Sequence, residues 1–192
     1  MPQGMFFYEQ NLRRFCGKFG GKMFRRFIKR EDGATAVEFA IVGIPFTFCL
    51  IAVIEITLMY AANSMLEGAT NSAARLIRTG QVQQSGMPED LFKNQLCNFA
   101  NVFLDCNAIQ YEVVTLPGGF SDADSNQPSF DQNGDLIPQG FDPGGVNDVV
   151  LIRSVYRYRF MTPVIGPLMA SGPNQTKTMM TTLVLQTEPY EF

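Results

Sequence analysis

The sequence predicts an α+β chain: one long N-terminal helix, a second shorter helix, and an antiparallel sheet of about three strands laid on the long helix. Three observations carry this. Apolar residues recur at helical spacing from Ala36 to Thr79 without a break. A shorter helical pattern opens at Pro88. Three later segments alternate apolar and polar residues and are separated by loops rich in Gly, Pro, Asp, Asn and Ser.

The head of the chain is cationic. Met1 to Gly33 holds Arg13, Arg14, Lys18, Lys22, Arg25, Arg26, Lys29 and Arg30 against Glu9, Glu31 and Asp32, whereas the remainder carries seven basic and fifteen acidic residues. Lys and Arg in a short segment beside an apolar span stay on the cytoplasmic side, so the N-terminus is expected inside. A nucleic-acid partner is not expected, because the charge abuts an apolar span rather than a folded reader. Phe6, Phe7, Phe15, Phe19, Phe24 and Phe27 interleave with the cations and would suit a segment lying on anionic lipid. Gly17, Gly20 and Gly21 interrupt that face, which favours a solvated leader.

The long helix follows. Phe39 to Ile54 carries no charge, and only Glu38 and Glu55 interrupt Ala34 to Ala62. At about 1.5 Å per residue this stretch crosses a hydrocarbon core of about 30 Å. The expected organisation is a cytoplasmic leader at 1–33, a membrane part at 34–62 and a periplasmic α+β domain at 63–192. A cleaved secretory signal fits poorly, since no small-x-small site follows the apolar run. Ala62, Met65, Leu66, Ala69, Ala73, Leu76 and Ile77 continue one helical stripe to Gly80, which should end the helix in a left-handed cap. The whole element would be about 65 Å long. Pro45 removes a backbone donor inside it, so a kink or local melting is expected between Val42 and Pro45. Glu55 is expected to snorkel to the outer interface.

Pro88 to Val102 reads as the second helix, with Glu89 and Asp90 at its positive end. Ile109 to Leu116 reads as a strand, and Leu116 to Asn147 as a long loop. Asp148 to Met161 puts Val150, Ile152, Tyr156, Tyr158 and Phe160 on one face and Arg153, Arg157 and Arg159 on the other. A loop at Pro163 to Pro173 leads to a third strand at Lys177 to Glu188, with Met179, Leu183 and Leu185 on one face.

The chain has no histidine, which removes His-dependent triads and His-containing zinc sites. A hydrolase built on Ser and carboxylates has no nucleophile motif to stand on, and no enzymatic activity is expected. Of Cys16, Cys49, Cys97 and Cys106, only the last two would meet an oxidising compartment if the C-terminal part is periplasmic. A Cys97–Cys106 bridge requires the helix to end before Cys106, because nine positions on one helix place the two on opposite faces. Redox spacing of the Cys-x-x-Cys kind is absent. Asp122 and Asp124, then Asp131 and Asp135, cluster oxygen ligands as calcium loops do. The first cluster lacks the glycine and glutamate such a loop needs, where Gln127 and Asn133 stand. Asx residues equally dominate ordinary turns, so no cofactor is expected and calcium stays the alternative.

Gly33 is followed by Ala34-Thr35-Ala36-Val37-Glu38-Phe39, a glycine at the cytosolic edge of the apolar helix with a glutamate five residues beyond it. This pattern resembles the processing site of type IV prepilins. With Ala40 and Pro45 it is similar to the TadE-like minor pilins, or pseudopilins, of the tight-adherence (Tad) pilus. Arg75-Leu76-Ile77-Arg78-Thr79-Gly80-Gln81, the Cys97 and Cys106 region, and Glu188-Pro189-Tyr190 resemble that family's later segments. The leader is richer in Phe, and the interval Phe120 to Gly145 longer, than the family pattern.

The resemblance implies cleavage by a prepilin peptidase between Gly33 and Ala34. Glycine there lets an extended backbone approach a catalytic surface; an ordinary helix-boundary glycine is the alternative. The resemblance further implies that Glu38, then the fifth residue, pairs with the new α-amino group of Ala34 on a neighbouring subunit, with Phe39 completing the motif. A carboxylate held at the interface by the helix dipole and Lys29 or Arg30 is the alternative. The implied partners are the prepilin peptidase, a second minor pilin, the major pilin, the inner-membrane assembly platform and membrane lipid. The implied role is pilus assembly or its initiation, contributing to surface adherence, from a single-pass position in a bacterial inner membrane. A rival reading is a pilus-tip adhesin that binds its ligand through the Asp-rich loop.

Overall fold

Helix α1 runs from Ala34 to Arg78 and carries the change of environment that its sequence encodes. The computed structural model describes residues 33–163 and 165–190; the basic leader, its phenylalanines and Cys16 lie outside the described residues. The chain divides into two compact units, the first ending at Ile51 and the second beginning at Ala52.

In the first unit the described part is helix, and its large apolar side chains are exposed: Phe39 at 78 % and Ile44 at 72 % are representative. Among the described residues, α1 is the one helix long and apolar enough to cross a membrane. The α-helical backbone passes Pro45 unbroken, so the local melting expected between Val42 and Pro45 does not occur. A single proline removes one donor, and the turns on either side keep their own hydrogen bonds.

In the second unit α1 buries one stripe. Met59, Ala62, Leu66, Ala69, Ala73 and Ile77 recur at three- and four-residue spacing and enter the core. Gly80 ends the helix at φ 76°, in the left-handed region. A Cβ there would also meet the Tyr190 ring at 2.6 Å, so glycine is required for two reasons. The C-terminal segment closes this helix end: Glu188 N donates to Arg78 O at 2.9 Å, and Arg78 Nε lies 3.2 Å from Glu188 Oε1. The two segments Arg75 to Gln81 and Glu188 to Tyr190, remote in sequence, are thereby brought together.

A four-residue helix α2, Gln81–Gln84, leads to α3 at Pro88–Ala100, which buries Phe92, Leu96 and Ala100. Helix α3 stops two residues before the expected Val102. The turn that follows brings Cys97 and Cys106 to a Cα separation of 5.4 Å, and the two are disulfide-bonded. Strand β1, Gln110–Thr115, pairs antiparallel with β2, Val149–Arg159, which pairs antiparallel with β3, Thr176–Gln186. The order β1-β2-β3 makes a sheet whose Val113, Val150, Ile152 and Met179, with Phe160 just past β2, share the core with α1 and α3. Phe92 packs against Tyr111 and Phe141 at ring distances of 5.4 and 5.5 Å. The segment expected as a plain loop before β3 contains a short helix, α4, Ile165–Met169.

The opposite face of the sheet departs from expectation. Arg153, placed on the face opposite Val150 and Ile152, is 2 % exposed and forms an ion pair with Glu112, which is fully buried. The two stand directly opposite each other in the β1–β2 register. Each also reaches into the long loop: Arg153 Nη2 donates to Asn126 O at 2.8 Å, and Glu112 Oε2 accepts from Gln139 N at 2.9 Å. Gln110 adds a third tie, accepting from Leu136 N at 2.6 Å. Farther along, Val113 N donates to Gly140 O and Val113 O accepts from Asp142 N, which closes the free edge of β1. The 117–148 segment is thus a cover for the second sheet face, and its length supplies the donors and acceptors that a buried ion pair needs.

Removing one partner of a buried pair leaves the other charge uncompensated, at about 3–5 kcal/mol. Glu112→Ala should lose about that much in chemical denaturation and should open the loop between Pro117 and Asn147 to protease. A loss below about 1 kcal/mol with unchanged proteolysis would show that the pair does not hold the cover.

Candidate processing and assembly site

Gly33 immediately precedes α1, and Ala34 is its first residue. Gly33 does not have a positive φ, and a Cβ built on it meets nothing within 4 Å. Neither backbone conformation nor packing among the described residues therefore demands glycine at this position. Glu38 lies in the second turn and is exposed, and it takes part in no ion pair among the described residues. Phe39 beside it is the most exposed large apolar residue of this stretch, and its ring leans over Gly43, whose added Cβ would touch it at 3.6 Å. The helix start thus presents a carboxylate and an aromatic ring outward on a rod without polar side chains of its own from Phe39 to Pro45. Such a surface can associate with lipid or with other helices.

Glu55 behaves differently from expectation. Instead of snorkelling, it is 4 % exposed, buried within the second unit. Its carboxylate accepts from Met161 N at 2.5 Å and from Thr162 N at 3.1 Å. Two backbone donors satisfy the charge locally, which removes the reason to seek water. The partners lie more than a hundred residues away in the chain, so no local pattern could have found them.

The acidic residues of the long loop are not gathered into one site. Asp131 closes its own turn, accepting from Asn133 N and Asp135 N, each at 2.8 Å. The Asp135 amide and then the donors of Asn133 and Gly134 hold its carboxyl below the usual range. Asp135 accepts from Gln110 Nε2 at 2.8 Å and faces Arg157 Nε at 3.0 Å. Asp122 accepts from Gly118 N at 2.7 Å, and Asp124 lies two residues on in the same exposed turn. Among the described residues no three His, Cys, Asp or Glu side chains converge as metal ligands. The other perturbed groups are phenols: burial, followed by the charge of and the hydrogen bond to Glu89, pushes Tyr111 up to about 12. That belongs to the core seam between α3 and the sheet and marks no reactive centre.

The match that decides the resemblance begins at Gly33. Residues 33–75 match the family model of TadE-like proteins. The match covers the glycine–glutamate motif and nearly all of α1, under a quarter of the chain. No curated protein and no solved structure matches the chain. The similarity to TadE-like proteins thus lies in the helix, and the domain is described by its own geometry.

Glu55 ties the end of β2 to α1, and hydrogen bonds to a charged group contribute about 1.5–3 kcal/mol. Glu55→Gln keeps the shape and removes the charge. It should cost about 1–3 kcal/mol and speed amide exchange at Met161 and Thr162 above all other strand-end amides. Equal protection in the variant would show that the carboxylate does not hold this loop.

Proposed function

We propose that this chain is a minor pilin, or pseudopilin, of a Tad pilus: a structural subunit inserted with its leader in the cytoplasm, cut by a prepilin peptidase between Gly33 and Ala34, and joined through α1 to other pilin helices. The observation that carries the reading is the TadE-like match over residues 33–75, which opens on the glycine itself. The fold supports it in a second way, because among the described residues nothing in conformation or packing requires glycine at position 33. A residue needed by an enzyme rather than by the fold accounts for glycine there.

The proposed organisation keeps the leader at 1–33, the membrane part within 34–62 and the periplasmic domain through 63–192, with Ala52 to Ala62 also packed by the domain. The Cys97–Cys106 bridge suits a domain on the oxidising side. The role is association, in pilus assembly or its initiation, and so contributes to adherence. Its partners are the peptidase, a second minor pilin, the major pilin and the inner-membrane platform.

Glu38 is the residue that links processing to assembly. An unpaired carboxylate in hydrocarbon costs about 2.5–3.5 kcal/mol on insertion scales, and the free amino group of Ala34 on a neighbouring subunit offsets that cost only after cleavage. Glu38→Ala should therefore be processed to the same mature length as the parent and be missing from the sheared pilus fraction. Wild-type amounts of the variant in that fraction would refute the pairing.

A further inference from the structure

The end of the domain beside Glu55 has a composition unlike the rest. On α1, Val53 and Ile54 are 62 % and 60 % exposed, immediately before the buried Glu55. On the segment that Glu55 holds, Met161 is 82 % exposed, and Leu168 of α4 is 76 % exposed. Arg159, also exposed, lines a cleft of about 300 Å³ with Phe160, Met161, Pro163, Asn174 and Gln175. Lys177, paired across the sheet with Tyr158, lines a second cleft of about 260 Å³ against Met59, Tyr60 and Asn63. Neither cation takes part in an ion pair among the described residues. From Arg159 to Thr187 the sequence contains no Asp or Glu, although the chain after Gly33 has fifteen acidic residues.

We propose that this end is a lipid-contacting foot: Met161 and Leu168 enter the acyl region of an anionic leaflet, and Arg159 and Lys177 meet lipid phosphates. The inference rests on the reading of α1 as a membrane-crossing helix. Two features select lipid over a protein partner. Glu55, which directly follows the exposed Val53 and Ile54 on α1, holds the amides of Met161 and Thr162, so the exposed Met161 stands beside the apolar run of the helix. Apolar tips flanked by cations without intervening acids are the pattern of interfacial segments. The two amide donors of the Glu55 carboxylate keep it inside the protein.

The chain contains no tryptophan, so one introduced residue reports alone. The full chain is reconstituted into vesicles of phosphatidylethanolamine and phosphatidylglycerol with brominated acyl chains, carrying Met161→Trp, Leu168→Trp, Val42→Trp or Val102→Trp in turn. Val102, exposed at 72 % beyond α3, is the domain control. The indole at positions 161 and 168 should lose most of its emission to bromine and resist iodide, whereas the indole at position 102 should be quenched by iodide alone. Each cation adds about fivefold to affinity for an anionic surface, so Arg159→Gln with Lys177→Gln should shift the emission of the Leu168→Trp chain toward iodide quenching. Iodide quenching at positions 161 and 168 equal to that at 102 overturns the foot, and unmoved quenching of Leu168→Trp in the double Gln background overturns the phosphate contact. Loss of bromine quenching at position 42 would instead overturn the membrane span and the foot with it.

Discussion

Helix α1 changes from an exposed apolar surface to a buried stripe along its length, and the described domain is organised around the point where it changes. Up to Ile54 its apolar side chains face outward, and from Met59 on it buries a stripe dominated by small residues. Ala62, Ala69 and Ala73 share one core with residues of the sheet and of α3, so a three-stranded sheet and one further helix cover that half. Between the two regimes stands Glu55. Its carboxylate is satisfied by the amides of Met161 and Thr162 just past β2, so α1 is tied to the sheet where its buried stripe begins.

The other face of the sheet needed its own solution. Three strands with one face on a helix leave the second face to water or to a cover. Here the cover is a long connection tied down by a buried Glu112–Arg153 pair, with Arg153 Nη2 donating to Asn126 O and Glu112 Oε2 accepting from Gln139 N in the loop backbone. A small second core of Leu116, Val149 and Leu151 lies under it. The Asp-rich turns sit on this cover, and their side chains serve its internal hydrogen bonds. This gives the unusual length of the 117–148 interval a structural reason.

Much of the architecture was legible because it is written in local periodicity. The helical stripe, the left-handed stop at Gly80, the start of α3 at Pro88 and the inward residues of β2 and β3 all appear where the pattern places them. What escaped are pairings between distant segments. Arg153 looks like a surface residue until the β1–β2 register sets it opposite Glu112 and the loop closes over both. Glu55 looks like an interfacial carboxylate until β2 brings Met161 and Thr162 to it. Helices α2 and α4 are too short to leave a periodic signal. The motif at Gly33 to Phe39 was legible because it is local, and the fold adds that among the described residues no packing contact requires glycine there.

One covalent event underlies the proposed role: the leader is removed at Gly33 before Glu38 can serve assembly. Intact-mass measurement of the protein recovered from its native membrane tests it directly. A chain beginning at Ala34 is the expected result. A chain that retains Met1 and the basic leader while pili form normally would contradict it.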